Sequence, residues 1–226
     1  MKIRLAMAAL AACVVGAAQA ASVDWSGSYT STGGYGENLA EGAKISIGGD
    51  PVSPLTGSYS LSVTFMLTST ARPDGFASIL SITHGTGGSG NDDRNLRLSL
   101  NNDGKLTMNG NVSVWGANPP VMDYVLQTGV DYTAVLTLSG GTADLLLYAD
   151  GALLGSILDH SLNSGYAGGD LDTIVLGSAS LTEANGNRTF GEGVLVVKEV
   201  TLVPEPTALA LLALGVAGLA LRRRAA

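Results

Sequence analysis

The most site-like segment of the sequence is the loop HGTGGSGNDDRN, which begins at His84 and ends at Asn95. It combines glycines, which allow tight backbone curvature, with the carboxylates of Asp92 and Asp93. Carboxylate and amide oxygens are the ligands that calcium prefers, although this spacing matches no EF-hand loop and Arg94 offsets part of the charge. The sequence therefore predicts weak calcium binding through Asp92 and Asp93, with an ordinary solvated loop as the alternative, and indicates no other cofactor.

Sugar binding commonly uses the flat face of an aromatic ring, and Trp115 is the best candidate for such a platform. It ends an apparent strand just before the sequence GANPP at 116–120, so we expect it at the rim of a loop. Packing of the indole against the core is the alternative, because tryptophan is highly buried on average. Aromatic residues form only 5% of the chain, which argues against an extended binding cleft.

The interior of the chain alternates apolar and polar residues, as strands buried on one face do. Two turn signals, Asn102-Asp103-Gly104 and Asp150-Gly151, predict hairpins between neighbouring strands. The predicted strands are 59–67, 78–83, 96–100, 105–108, 132–138, 144–149, 152–157, 173–176 and 194–202. No interior stretch has a sustained apolar period of 3.6 residues, so we predict an all-β domain built as a two-sheet sandwich.

The N-terminus has the composition of an export signal. A positively charged start precedes the apolar run 5–18, and small residues at Ala18 and Ala20 form a cleavage site. We therefore predict a signal peptide over residues 1–20 that signal peptidase removes after Ala20.

Cys13 is the only cysteine in the sequence, and it lies inside this leader. Its context, LAAC, also has the pattern of a lipoprotein signal, so acylation of Cys13 is the alternative to cleavage after Ala20. Cleavage after Ala20 leaves a mature protein without cysteine, which excludes disulfides, thiolate catalysis and Cys-ligated metal sites.

The charge of the chain is concentrated in its middle. Between Ala21 and Val203 there are 18 acidic and 7 basic residues, a formal charge of −11, whereas the whole chain has −7. A domain this acidic repels phosphate backbones, so the sequence predicts no nucleic-acid partner.

The C-terminal residues form a polar motif, an apolar run and a basic cluster, in that order. These parts are Pro204, Glu205 and Pro206, then 207–221, then Arg222, Arg223 and Arg224. The apolar run would form a helix about 22 Å long, against about 30 Å for a hydrocarbon core. We predict a short transmembrane helix with the arginines as its membrane stop, since snorkelling arginine stems recover part of the length.

This tail resembles the PEP-CTERM sorting signal of Gram-negative bacteria. The resemblance implies that an exosortase, a membrane-embedded enzyme, cleaves near the Pro-Glu-Pro motif, so that this chain is the substrate. It also implies a precursor held in the inner membrane and later delivered to the cell surface or extracellular matrix. The predicted division is 1–20, 21–203 and 204–226, and an ordinary membrane anchor is the alternative for the tail.

A second resemblance lies in the run 132–157. It is similar to the central hairpin of laminin G-like, concanavalin A-like jelly rolls, in which a strand ends in Tyr-x-Asp-Gly, here 148–151. The strands predicted at 173–177 and 194–203 match later strands of that family. One departure is Tyr132, because the family often has a tryptophan at this position.

The second resemblance implies a single jelly-roll β-sandwich, with calcium often bound near the ligand surface of relatives. It favours a role in adhesion or in association with an extracellular polysaccharide or other glycan. The alternatives are a different β-sandwich with an Asp-Gly hairpin, a structural matrix protein without a specific ligand, and a polysaccharide-active enzyme.

Some relatives in that family are retaining glucanases, which need two carboxylates about 5 Å apart. Their Glu-x-Asp-x-x-Glu pattern does not occur in this sequence. The two histidines, His84 and His160, have no adjacent Ser–Asp set, and we expect both in solvated loops. The sequence therefore predicts no catalytic residue and a protein that is not an enzyme.

Overall fold

The computed structural model describes residues 23–32, 43–47, 58–69, 77–83, 95–109, 119–162, 171–177 and 190–204. Within these ranges the chain forms β-strands and no helix. The strands are β1 Val23–Thr30, β2 Lys44–Ser46, β3 Ser58–Leu67, β4 Ala77–Thr83, β5 Asn95–Leu100, β6 Lys105–Asn109, β7 Val121–Val125, β8 Asp131–Ser139, β9 Thr142–Ala149, β10 Ala152–Ser161, β11 Thr173–Leu176 and β12 Leu195–Pro204.

The strands form two six-stranded antiparallel sheets. The first sheet has the order β1-β12-β3-β8-β9-β10, and the second has the order β2-β11-β4-β5-β6-β7. The chain crosses repeatedly between the sheets, and the first and last described strands, β1 and β12, are neighbours. This arrangement confirms the prediction of an all-β jelly-roll sandwich.

The core lies between the two sheets and follows from the alternation of side chains along each strand. In β3 every second residue is buried, which points one apolar set inward. That set is Tyr59, Leu61, Val63, Phe65 and Leu67. The second sheet contributes Leu80, Leu98 and Met108, each at most 2% exposed. The buried residues of these strands recur at every second position, so the 3.6-residue period of a helix is absent from them.

Tight turns connect neighbouring strands in both sheets. Asp150 and Gly151, between β9 and β10, have φ values of 50° and 75°. Two successive positive φ values match the type I′ turn, which suits the twist of a hairpin. Asn101 supports the predicted turn between β5 and β6, where its Oδ1 accepts hydrogen bonds from the backbone N–H groups of Asp103 and Lys105. Both hairpins that the sequence predicted are confirmed.

Tyr132, where the related jelly rolls often have tryptophan, is fully buried at the start of β8. Its ring lies 5.9 Å from Phe65 and 6.3 Å from Tyr124, measured between ring centroids. Its hydroxyl accepts a hydrogen bond from the backbone N–H of Gln127 at 2.9 Å. The tyrosine therefore fills an aromatic cluster and also satisfies a backbone donor in the loop before β8.

Three strands were missing from the sequence prediction, and each has a weak pattern. β1 contains Gly27 and an irregular register, so its buried residues do not alternate. β2 has only three residues. In β7 the apolar residues do not mark the buried side, because Val121 and Val125 are exposed while Met122 is buried. All three lie at sheet edges, where tertiary pairing rather than local composition determines the strand.

Candidate functional site

The outer face of the second sheet carries a set of polar side chains, which we call the polar face. It consists of Ser78, Ser81 and Thr83 on β4, Arg97 and Ser99 on β5, and Thr107 on β6. Their strands read ASILSIT, NLRLSL and KLTMN, in which leucine, isoleucine and methionine occupy the core side. Because side chains alternate along a strand, the residues between them point away from the core.

Strand register brings the members of the polar face side by side. Ser81 lies opposite Arg97, and Ser78 lies opposite Ser99. Ser99 in turn lies opposite Thr107 on the next strand. Residues directly opposite in an antiparallel pair have neighbouring side chains on the same face. The polar face is therefore continuous across β4, β5 and β6.

A register shift between Ser78 and Leu80 helps to build this face. Ile79 is the extra residue, and with it both Ile79 and Leu80 are buried while Ser78 stays paired with Ser99. A bulge of this kind changes which side of the sheet the following residues face. Without it, strict alternation from Ser81 would place Ser78 on the core side.

Every member of the polar face is buried. Arg97 is 4% exposed, and the serines and threonines are at most 1% exposed. The hydroxyls of Ser78 and Ser99 lie 3.4 Å apart, within hydrogen-bonding reach. Within the described ranges, the hydroxyl oxygens of Thr83 and Thr107 have no hydrogen-bond partner. A buried hydroxyl left unpaired costs about 1–3 kcal/mol, so this face is an expensive feature of the fold.

The polar face has the chemistry of a hydrogen-bonding surface. Hydroxyls both donate and accept, and the guanidinium of Arg97 donates to carboxylates or hydroxyls. Arg97 also takes part in interactions within the protein. Among the residues whose positions are described, no group of three or more His, Cys, Asp or Glu side chains could hold a metal ion. The face is therefore rich in hydrogen-bonding groups, but its burial keeps those groups from solvent in this structure.

The sequence reasoning did not single out the polar face. Its signal was present in the strand patterns, because Arg97 is a charged residue between two leucines of a short strand. Such a residue ordinarily indicates a solvated face, which is why the pattern alone directed attention elsewhere. Only burial on both sides of β4 and β5 reveals the difference.

Most sequence-predicted site residues lie outside the described residues. These are Ala18, Ala20, Asp92, Asp93, Trp115, Glu205, Pro206, Arg222, Arg223 and Arg224. The calcium and carbohydrate assignments therefore stay predictions. Pro204 is described, and it is the last residue of β12. The predicted membrane helix 207–221 also falls outside these ranges, and a search of the described residues finds no helix able to span a bilayer.

His160 is located in a strand, where the sequence predicted a solvated loop. It lies in β10, opposite Ala143 of β9. Its Nε2 atom is buried and has no hydrogen-bond partner in the described part of the chain. Burial lowers the pKa of His160 below its ordinary value of 6.5, because a charged imidazolium loses hydration there. The loop prediction was wrong because β10 continues past Ile157, where the apolar alternation ends.

The tail of the chain matches a known family model. The model describes the PEP-CTERM protein-sorting motif and covers residues 202–224. The chain therefore carries a PEP-CTERM sorting motif, which confirms the first resemblance. The motif indicates export of a membrane-anchored precursor that an exosortase processes.

Solved structures to which this chain is similar include three carbohydrate-related proteins. Trypanosoma rangeli sialidase with 2,3-difluorosialic acid is 16% identical with a TM-score of 0.47, and the match covers 77% of this chain and 25% of the sialidase. The CBM40 of Ruminococcus gnavus IT-sialidase, bound to α2,3-sialyllactose, is 19% identical with a TM-score of 0.43. That match covers 66% of this chain and 76% of the CBM40. The PL7 alginate lyase AlyA1 from Zobellia galactanivorans is 15% identical with a TM-score of 0.44, covering 70% and 66%.

This chain spans only about a quarter of the length of the sialidases that it resembles. No curated protein matches the sequence. Sialidases and an alginate lyase are enzymes, so the prediction that this chain is not an enzyme is corrected. The physical reason is that a missing glucanase motif excludes one catalytic route, whereas one fold supports many chemistries. At this identity, no activity transfers from those proteins to this chain.

Proposed function

We propose that this protein is exported as a membrane-held precursor, cut by an exosortase at its Pro-Glu-Pro motif and delivered to the cell surface or extracellular matrix. The observation that carries this proposal is the sorting motif over residues 202–224. The sandwich would be the part that remains after cleavage, because β12 ends at Pro204 and the predicted membrane helix lies beyond it in the sequence.

Intact-mass analysis tests the processing route. The protein is expressed in a host that processes such tails, and its C-terminus is determined in membrane, surface and medium fractions. We expect surface and medium forms that lack Arg222, Arg223 and Arg224. A matched variant with Pro204→Ala and Pro206→Ala should retain the arginines. Wild-type protein that keeps its arginines in every fraction would refute the route.

We further propose that the delivered sandwich associates with an extracellular polysaccharide through the polar face, which is at most 4% exposed in this structure and must be uncovered before a ligand can reach it. Support comes from the cost of that face, where the hydroxyls of Thr83 and Thr107 are buried without partners in the described residues. A hydroxyl-rich ligand that reached this face once it is uncovered would satisfy such groups. Purely structural packing would gain nothing from the same two hydroxyls.

Co-sedimentation with neutral and acidic polysaccharides tests this association. The double variant Thr83→Val and Thr107→Val removes two hydroxyls at nearly constant volume. The matched control, Thr64→Val and Thr133→Val, removes two half-exposed hydroxyls of the first sheet, whose oxygens lie 3.3 Å apart. We expect weaker binding only for the first variant. Equal binding by both would contradict the assignment of the polar face.

The same incubations report on catalysis when the supernatant is analysed for released saccharides. Release by the wild type that the Thr83→Val and Thr107→Val variant loses would assign both binding and turnover to the polar face. Binding without release would restrict the face to recognition of the polysaccharides tested.

A further inference from the structure

The sorting motif begins inside the folded sandwich. The matched segment starts at Leu202, whereas β12 continues to Pro204. Residues 202–204 therefore belong both to the signal that the exosortase reads and to a strand of the first sheet. β12 is not an edge strand, since it lies between β1 and β3.

The three shared residues are held to different degrees. Leu202 pairs with Leu61 of β3 and with Val23 of β1, and its side chain is fully buried. Val203 pairs with Ser60 of β3, and it is 45% exposed. Leu202 is thus held in the core, while the residue that follows it is half exposed.

Pro204 is the weakest of the three attachments. It lies opposite Tyr59 at the end of the β3–β12 pair. Proline has no backbone N–H, so it cannot donate to the ladder. Strand ends with few buried contacts open locally at low free energy, well below that of global unfolding. Val203 and Pro204 are therefore the residues of β12 that separate from β3 most readily.

Space around the motif is limited by the predicted membrane helix. Only Glu205 and Pro206 separate Pro204 from Thr207, where the helix is expected to begin. At about 3.3 Å per residue, the extended chain between Pro204 and Thr207 spans about 10 Å. An enzyme that binds Pro-Glu-Pro as an extended segment therefore works directly against the end of the sandwich. Peptides bound in extended form commonly use their main-chain groups, which β3 already engages at Val203.

We infer that the exosortase acts on a form of the precursor in which Val203 and Pro204 have separated from β3 while Leu202 stays in the core. The folded sandwich thereby controls how often the signal is presented for cleavage. This inference rests on the proposed processing route, and it concerns the state of the substrate rather than its destination.

Two engineered cross-links separate the shared segment from the strand before it. The bridge Ser60→Cys with Val203→Cys locks β12 to β3 inside the matched segment. The bridge Ser62→Cys with Thr201→Cys locks the same strands two residues earlier, outside that segment. Bonding type alternates along an antiparallel pair, so the two bridges connect pairs of the same type. Cys13 is the only natural cysteine and lies in the predicted leader.

Full-length precursors are incubated with membranes from a processing host, with and without a reductant, and the C-terminal mass is followed over time. We expect the Ser60–Val203 bridge to abolish loss of the arginine cluster and reduction to restore it. The Ser62–Thr201 bridge should leave processing at the wild-type rate. Thermal unfolding of both bridged proteins shows that each is folded before the assay.

Each outcome has one meaning. Wild-type precursor that is never shortened would refute the processing route itself. Wild-type shortening with equal rates for both bridged proteins, fast or slow, would overturn the inference while leaving the route intact. Selective loss with the Ser60–Val203 bridge, recovered on reduction, supports detachment of Val203 and Pro204.

Discussion

The outer faces of the two sheets carry similar residues in different surroundings. On β3, Ser62 and Thr64 are half-buried, and burial alternates strictly along the strand. On β4, Ser81 and Thr83 are fully buried, and every residue of the strand is inaccessible. Both strands alternate apolar and hydroxylated residues. Alternation therefore shows which side of a strand faces the core, but it does not show whether the other side meets water.

The same contrast applies to the cations. Lys198 forms an ion pair with Asp131 on the outer face of the first sheet, at 2.5 and 2.7 Å to the two carboxylate oxygens. Their side chains are 40% and 54% exposed. Arg97 on the polar face is only 4% exposed. Water screens the first pair, whereas a buried guanidinium depends on protein groups for solvation.

The largest expected difference between the faces comes from removing each cation. Arg97→Ala should destabilise the protein by about 3 kcal/mol, because it removes packing and leaves buried groups unsatisfied. Lys198→Ala should cost less than about 1 kcal/mol, since its pair is exposed. Urea unfolding measures both. Equal losses would remove the distinction between the two faces.

Adding volume gives the next largest effect. Ser81→Leu should cost about 1–3 kcal/mol, because a buried and filled site must accommodate a larger side chain. Ser62→Leu, on the half-exposed face, should stay within about 0.5 kcal/mol of the wild type. Thermal melting of the two variants provides the comparison. A tolerated Ser81→Leu would contradict the close packing of the polar face.

Removing a single buried hydroxyl should stabilise the protein rather than destabilise it. Thr83→Val eliminates a buried oxygen without a partner in the described residues, so we expect about 1 kcal/mol of added stability. Thr64→Val loses a hydrogen bond to Thr133 that water replaces, so its effect should stay within about 0.5 kcal/mol. Denaturant midpoints test both. A destabilising Thr83→Val would show that its hydroxyl is in fact bonded.

The smallest expected effect concerns pH and His160, on the edge of the first sheet. Burial lowers its pKa in the folded protein, so the unfolded state binds the proton more readily. Stability should therefore fall as the pH drops through 6.5 and level off below the lowered folded pKa. His160→Gln should flatten that part of the profile. Identical profiles from pH 5 to 8 would contradict this role of burial.

Local pattern was sufficient for much of the fold. The spacing of Leu61, Val63 and Phe65 predicts β3. Asp150-Gly151 predicts the hairpin between β9 and β10, because few residues accept successive positive φ values. The edge strand β2 escaped prediction because three residues hold too little pattern, and pairing with β11 supplies its order. The prediction for His160 failed for a related reason. The last residues of β10 have no strand-like composition, and pairing with β9 keeps them in the strand.

The sorting motif and the polar face differ in how visible they are in the sequence. Pro204 and its neighbours are read as a linear segment, so their order in the chain suffices for recognition. Membership of Arg97 in the polar face follows from its pairing with Ser81 and from its burial. Both depend on residues far apart in the chain. No local pattern contains that information.

By itself, the sequence determined the class of fold, the sorting motif and the acidity of the middle region, because composition, short-range period and linear order are properties of neighbouring residues. Tertiary structure alone decided that the polar face is enclosed and that the sorting motif starts within β12. The physical reason is that burial and strand pairing arise from residues brought together over long distances, such as Val203 and Ser60. The contribution of a side chain to the free energy of folding depends on its surroundings, and those surroundings exist only after folding.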